Sequence, residues 1–356
     1  MYELIANLHM HTPYSDGHGS HAQIAQIALR CGLDVIITTD HNIYIHGLDQ
    51  YYQQNDRKLL LMVGEEVHDM LRRPQKNHLL VYGVNRELCS YAANPQRLLD
   101  QVNQSGGLGF IAHPVDPPML IVREEDLSWV NWDVRGYTGI ELWNGFSELK
   151  SVAHNYLDAF FYAFFPQFVA RGPLPATLQR WDDLLKSGRK VVAIGGADAH
   201  ALPQSLGPLH RTVFPYEYHF RAVNTHLLTP EPLGNNLHND RRMILDALRQ
   251  GHAFIGYDLP APTRGFSFTA RGRNQMALMG DQIDLEDGIT FQIRLPFATD
   301  CCLLRDGQPV KVWKDREIIT HITNQPGVFR VECHVQYLGR RRGWIYSNPI
   351  YVKASQ

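Results

Sequence analysis

Cysteine is scarce in this chain. There are five in 356 residues (Cys31, Cys89, Cys301, Cys302 and Cys333), with no Cys-x-x-Cys spacing. An odd, scattered set argues against a disulfide framework and favours a reducing compartment. Net charge is also lacking: 34 basic against 36 acidic side chains leave −2. That gives no overall electrostatic case for gripping a long nucleic-acid backbone or an anionic membrane. No apolar run approaches the roughly 18 residues of a membrane span, and no basic-then-apolar leader opens the sequence. The expected location is therefore the cytoplasm, with no membrane partner. Low-complexity tracts and fixed-period repeats are missing as well. So are a Gly-x-Ser-x-Gly elbow and a Walker loop, which removes two common nucleophile and nucleotide-cradle readings.

What the chain does have is a repeated pattern of short apolar runs ending in histidines and carboxylates. An apolar start (Leu4, Ile5, Ala6, Leu8) ends in His9-Met10-His11, followed by Asp16-Gly17. Period-two alternation places His9 and His11 on one side of a strand end. Ser20 suits an N-cap for a helix with Ile24, Ile27, Ala28 and Cys31 on one face, closed by Gly32. Further runs lead to Asp40-His41, to Glu65-Glu66, to His113 and to Asp198-Ala199-His200, while His78 stands at the start of its run. Seven short buried strands alternating with helices before about residue 195 predict parallel pairing through right-handed crossovers. In such α/β barrels the functional groups sit at the carboxyl ends of the strands. Residues 1–260 are expected to form this unit. Residues 261–356, with alternating runs and turn signals such as Asp306-Gly307, are expected to form a small antiparallel β-sandwich.

The candidate ligands are His9, His11, Asp16, His41, Glu66, His78, His113, Asp198 and His200. The group is too large for one tetrahedral zinc and too rich in imidazole for calcium or magnesium. It suits two or three ions of zinc, manganese or iron, bridged by carboxylates. Of the adjacent pair Glu65 and Glu66, only one can point into a strand-end site. Asp40 is expected to orient a neighbouring histidine rather than bind metal. His18, His21, His46 and His68 lie near the motifs without a clear assignment.

The order and spacing of His9-x-His11, Ser15-Asp16-Gly17, Thr39-Asp40-His41-Asn42, Gly64-x-Glu66, His78-Leu-Leu-x-Tyr-Gly83, Ala112-His113-Pro114 and Asp198-x-His200 resemble the PHP (polymerase and histidinol phosphatase) domain. The resemblance covers roughly residues 1–260. It implies a distorted seven-stranded (β/α) barrel with a di- or trinuclear metal centre at its carboxyl-terminal face. It would place His9, His11, Glu66 and Asp198 on one ion. Bridging Glu66, His78 and His113 would hold a second, and Asp16, His41 and His200 a third. The Gly64-x-Glu66 spacing favours Glu66 over Glu65.

The expected activity is phosphoester hydrolysis by attack of a hydroxide bridging the metals, with Glu66 and Asp198 at the centre and His41 or His200, whichever is free of metal, protonating the leaving oxygen. The expected partner is a small phosphorylated substrate, such as a nucleotide, or a short nucleic-acid end. Arg211 and His210, close after the last motif, are candidates for gripping phosphate. Two alternatives remain at this point. One is hydrolysis of a C–N or carboxylic ester bond on the same centre, against which the absence of a lysine at a strand end counts mildly. The other is a non-catalytic scaffold.

Overall fold

The computed structural model describes residues 1–206 and 209–354 as a mixed α/β chain. Its first part runs β1 (Tyr2–Asn7), α1 (His21–Cys31), β2 (Val35–Thr38), β3 (Gln50–Gln54), β4 (Arg57–Val63), β5 (Glu65–Val67) and β6 (Leu79–Tyr82). There follow α2 (Pro95–Gln104), β7 (Leu108–Ile111), β8 (Gly139–Asn144), α3 (Gly145–Val152), α4 (Tyr156–Phe164), α5 (Pro175–Lys186) and β9 (Val192–Gly196). A hairpin β10 (Leu202–Leu206) and β11 (Leu209–Val213) leads to α6 (Tyr216–Arg221), β12 (Val223–Thr229), α7 (Leu237–Gln250) and β13 (Ala253–Tyr257).

Local chemistry sets the helix ends. Ser20 and Gln23 form a reciprocal capping box at the start of α1, and Gly32 at φ 87° closes it in the left-handed region. Asn94 caps α2 with Pro95 in the first position. Asn236 caps α7 and Gly251 ends it. The apolar face of α1 (Ile24, Ala25, Ala28, Leu29) packs on Ile36, Leu59 and Leu61 of the sheet. Leu4, Ala6 and Leu8 pack on the opposite side, with Leu80, Phe110 and Ile194.

Two sheets carry this part of the chain. In one, β1, β2 and β4 are parallel neighbours; in the other the order is β5-β6-β7-β8-β9. The ladders do not close into one continuous barrel. The sheets meet instead at isolated parallel bridges, Met10 with Ala199 and His41 with Glu66. The expectation of uniformly parallel pairing is corrected too: β6 runs antiparallel to both β5 and β7. That reversal accounts for His78. Standing before an antiparallel strand, it reaches the same rim as Glu66 on β5 and His113 just after β7.

Beyond β13 the chain is nearly all strand: β14 (Ser267–Arg271), β15 (Met276–Leu278), β16 (Gln282–Leu285), β17 (Ile289–Arg305), β18 (Gln308–Thr323), β19 (Gly327–Tyr337), β20 (Arg340–Ser347) and β21 (Ile350–Ala354). The pairing is not wholly antiparallel, because β16 and β21 run parallel. β17 and β18 are also longer than the short runs expected, since register shifts let β17 bend from β14 onto β19. Phe268, Phe291, Phe329 and Trp344 fill the core between them; each buried Phe contributes roughly 1.5–3 kcal/mol. The ladder runs on from β1 through β12 and β13 into β20. Arg330 clamps Asp182 of α5 bidentately at 2.8 Å, and buried Arg342 donates to the carbonyls of Phe168 and Ala170.

Candidate metal centre

The site is assembled at the rim where the two sheets meet. Between Leu8 and His9 the in-out alternation of the first strand slips by one residue. Leu8 packs with the inner cluster and Met10 packs with α1. His9 and His11 are thereby both turned onto Glu66, at 3.1 and 3.2 Å. Tyr216 fixes the backbone there by donating to the His11 carbonyl at 2.7 Å. The following loop doubles back so tightly that a Cβ on Gly17 would lie 2.1 Å from the same carbonyl oxygen. Asp40 accepts from the Thr12 amide, the Thr12 hydroxyl and the Ser15 hydroxyl at 2.7–2.8 Å. Asp40 thus shapes the loop that carries Asp16.

Five imidazoles surround the buried Glu66 carboxylate. His78 Nδ1 and His113 Nε2 approach Oε1 at 2.8 and 3.0 Å; His9 Nε2, His11 Nε2 and His41 Nδ1 approach Oε2 at 3.1–3.2 Å. Asp198 Oδ1 lies 3.1 Å from His11 Nε2 and 3.4 Å from His9 Nε2. Asp16, half exposed at the rim, faces His200 Nε2 at 3.3 Å and His41 Nε2 at 3.7 Å. Three sets have donor atoms mutually within 4.8 Å: His9, His11, Glu66 and Asp198; His11, Asp16, His41 and His200; and His41, Glu66 and His78. His113 touches Glu66 but falls outside the third set. All nine sequence-derived candidates therefore converge on one rim. Two of them, His113 (φ 27°) and Asp198 (φ 53°), have left-handed backbones, a strain of order 1–3 kcal/mol that the surrounding structure must hold in place.

The protonation pattern tests whether a cation fits. His9 Nδ1 faces Glu141 Oε1 at 3.0 Å, His78 Nε2 faces the Gln75 carbonyl at 3.0 Å, and His200 Nδ1 faces the Asp198 carbonyl at 2.9 Å. These partners only accept, so each of those nitrogens carries the N–H. In a neutral imidazole the other nitrogen is then a lone pair, and it points at Glu66 in two cases and at Asp16 in the third. Acceptor facing acceptor requires a second proton or a metal ion between them. His41 Nδ1, buried without a hydrogen-bond partner beside Glu66, poses the same question. Among the described residues no lysine or arginine pairs with Glu66, Asp198 or Glu141.

The electrostatics of the protein alone agree. Burial opposes charge on His9 and His11, yet the surrounding carboxylates outweigh it: His9 is raised well above its usual value and His11 is pushed up to about 10. Burial is outweighed in the same way at His113, pushed up to about 9 chiefly by Glu66. Burial would raise Glu66 and Asp198, but the adjacent imidazoles hold both well below the carboxylate range. A site this eager to hold positive charge suits divalent ions.

Sequence reasoning missed Glu141. It sits in the buried run Ile140-Glu-Leu-Trp of β8, and its Oε2 also accepts from the His113 amide and the Asn144 side chain, each at 2.9 Å. A Cβ on Gly196 would come within 2.1 Å of its Oε1, so the glycine pair ending β9 makes room for it. The only signal was a lone acid inside an apolar strand. Lys150 was missed as well. Buried on α3, it lies 2.7 Å from Asp116, contacts Glu124 at 2.5 Å and sits over the Phe146 ring. Burial opposes its charge, but Asp116 and Glu124 hold it above the usual lysine value.

Lys150, Arg73 and Arg123 line the cavity of about 560 Å³ over the cluster, together with Asp16, His41 and His200. Arg211 is not among the residues lining it. Its guanidinium stacks on Phe164 and donates to the Ala163 carbonyl. His210 is exposed on β11. Glu65 points away from the cluster and accepts from the Leu88 amide; burial pushes its carboxyl up to about 8. His68 stacks on His78 at 4.3 Å, and burial lowers it to about 4.

Residues 7–163 match the model of the PHP domain. An uncharacterised protein of Methanocaldococcus jannaschii is 22% identical over 123 residues, 32% of this chain and 68% of its own. A crystal structure of a two-domain protein from Bacteroides vulgatus, containing a predicted PHP-like metal-dependent phosphoesterase, aligns over 98% of this chain and 95% of that one, at 16% identity and a TM-score of 0.41. A Bifidobacterium adolescentis protein predicted to be a metal-dependent phosphoesterase aligns over 59% of this chain and 92% of its own, at 14% identity and a TM-score of 0.37. The sequence motifs and the geometry of the rim agree with that match: residues 7–163 are similar to the PHP domain.

Proposed function

We propose that this chain is a metal-dependent phosphoesterase. In this reading His9, His11, Asp16, His41, Glu66, His78, His113, Asp198 and His200 hold two or three divalent ions of zinc, manganese or iron. The observation that carries it is the paired environment of His9, His78 and His200, each with an acceptor on its outer nitrogen and a carboxylate on its inner one. Metal-binding histidines are oriented in this way. Bound divalent ions supply an activated water at neutral pH and neutralise charge developing on phosphoryl oxygens. We read the two sheets as halves of a distorted seven-stranded barrel, residues 1–260 as the hydrolase unit and residues 261–356 as an appended β-rich unit. The chain is proposed to act in the cytoplasm.

The protein's own groups do the rest. Lys150 is held cationic on the cavity wall, and Arg73 and Arg123 stand at the same cavity. Together they offer charge-assisted hydrogen bonds to phosphoryl oxygens. His41 and His200, less buried than His9 and His11, border the same cavity, and either one left free of metal would be the group to give a proton to the leaving oxygen. The substrate is a small phosphorylated molecule or a short nucleic-acid end, since among the described residues the cavity's three cations stand among acidic side chains rather than along a basic track.

The test is a panel of phosphomonoesters, phosphodiesters, amides and carboxyl esters, run with added manganese, zinc or iron. Phosphoester turnover that disappears in both His11→Ala and Asp198→Ala supports the reading. Full activity in both variants, or turnover of amides and carboxyl esters alone, overturns it.

A further inference from the structure

A second cavity, of about 490 Å³, opens beside the metal-site cavity, and Glu124, Phe146 and Leu202 line both. Its other walls are mainly apolar, with Leu149, Phe160, Phe164, Val213 and Phe214, and the polar side chains Tyr156, Gln204 and Arg211 complete the lining. Beneath it Met119, Leu149, Val152 and Phe214 form a packed floor, so the walls do not depend on a ligand for support. Phe160 of α4 is left 54% exposed at the cavity, an uncovered aromatic in a chain whose other phenylalanine-rich clusters are sealed.

We propose that this cavity receives the leaving group of the phosphoester and that the leaving group is a hydrocarbon, an alkyl or simple aryl body. The inference rests on the phosphoesterase reading, which places the phosphoryl group over the metal cluster. From there Phe146, with the Lys150 ammonium 4.9 Å from its ring, forms the threshold between the charged and the apolar halves. A nucleobase fits this wall poorly. Its ring edge carries several hydrogen-bonding groups that must be satisfied when buried. The wall's charged groups are already engaged, Glu124 with Lys150 and Arg211 with the carbonyls of Ala163 and Phe164. A hydrocarbon demands none of these partners. Apolar walls with a few polar groups at one end are the usual form of a small-molecule site.

The experiment follows two readouts across one series. Metal-loaded protein is assayed on n-alkyl phosphates from methyl to octyl, both as monoesters and as methyl diesters, beside AMP and UMP. Binding of the non-hydrolysable n-alkylphosphonates of the same lengths is measured by calorimetry, with and without metal. The proposal expects kcat/KM and affinity to rise about fourfold per methylene over the first several carbons, with the longer alkyl phosphates preferred over both nucleotides. Ala163→Trp, which fills the apolar half from α4, is expected to flatten that length dependence.

Length-graded phosphonate binding without turnover of any ester would uphold the apolar subsite and remove the phosphoesterase reading. Turnover and binding independent of chain length, or nucleotides preferred tenfold or more, would overturn the subsite and leave phosphoester hydrolysis standing. Length-independent binding together with concentration-dependent dimerisation would assign the exposed aromatics to a second copy of the chain instead, and would equally overturn it.

Discussion

Replacing Glu141 with Gln removes one charge and changes one oxygen to an amide nitrogen, at a fully buried position. Oε1 takes the proton of His9 Nδ1, while Oε2 takes those of the His113 amide and the Asn144 side chain. Glutamine has one acceptor oxygen and cannot serve both sides. If the oxygen stays with His9, the new NH2 faces two buried donors, and each unsatisfied donor costs about 1–3 kcal/mol. If the amide turns over, its NH2 faces His9 Nδ1. The imidazole proton then moves to Nε2, the nitrogen aimed at Glu66, and blocks it as a ligand. Either way metal affinity should fall about 10- to 100-fold, equivalent to roughly 1.4–2.7 kcal/mol, and the Tm should drop by several degrees. Competition against a fluorescent chelator, with a thermal melt on the same samples, reads both. A variant that binds metal within twofold of wild type would refute the orienting role assigned to Glu141.

Three further outcomes are expected. Metal uptake should release protons at pH 7.5, because the charges on His11 and His113, held up to about 10 and 9, must leave as ions enter. Affinity should therefore rise with pH towards 9–10; calorimetry in buffers of different ionisation enthalpy checks it, and no proton release would contradict it. Lys150→Met should raise KM for phosphoesters about tenfold or more, since it removes a charge-assisted contact. The same change should cost about 3–5 kcal/mol of stability by leaving buried Asp116 unpaired, read as KM against kcat and as a denaturation midpoint. His226, away from the histidine and carboxylate rim, supplies a pH effect of its own. Burial opposes its charge, but Asp258 and Glu3 push it up to about 9. The pairing should stabilise the fold fully below about pH 6.5 and be lost as pH rises through 9, a change on the order of 3 kcal/mol. The stability gap between wild type and His226→Gln should narrow over that range.

Most of the candidate ligands were legible in the sequence because they stand at a break in an apolar run, where a strand ends and a polar side chain is turned to the rim. His9-Met10-His11 and Asp198-Ala199-His200 are both of this kind, and the isolated bridge of Met10 with Ala199 joins them. The capping signals Ser20 and Gly32 likewise act within a few residues and were readable. Strand direction was not. Nothing in Leu79–Tyr82 distinguishes a parallel from an antiparallel partner, so His78 looked misplaced until β6 proved reversed. Glu141 and Lys150 escaped because their meaning depends on distant partners. One is an acid in a buried strand and the other a lysine on an apolar helix; only the fold brings His9 to the first and Asp116 to the second. Arg211 had the reverse fate. Near the last motif in sequence, its guanidinium is spent on the carbonyls of Ala163 and Phe164. The bend of β17 came from register shifts that local alternation does not announce.

The central claim is that the histidine and carboxylate rim is a metal centre. Elemental analysis of the protein, purified without chelator and without a metal-affinity column, tests it most directly. The account predicts two or three equivalents of zinc, manganese or iron per chain, retained through gel filtration and lost in His11→Ala and Asp198→Ala. Metal-free protein that takes up no ion on dialysis against all three would contradict it, and would leave the imidazoles around Glu66 as a protonated cluster.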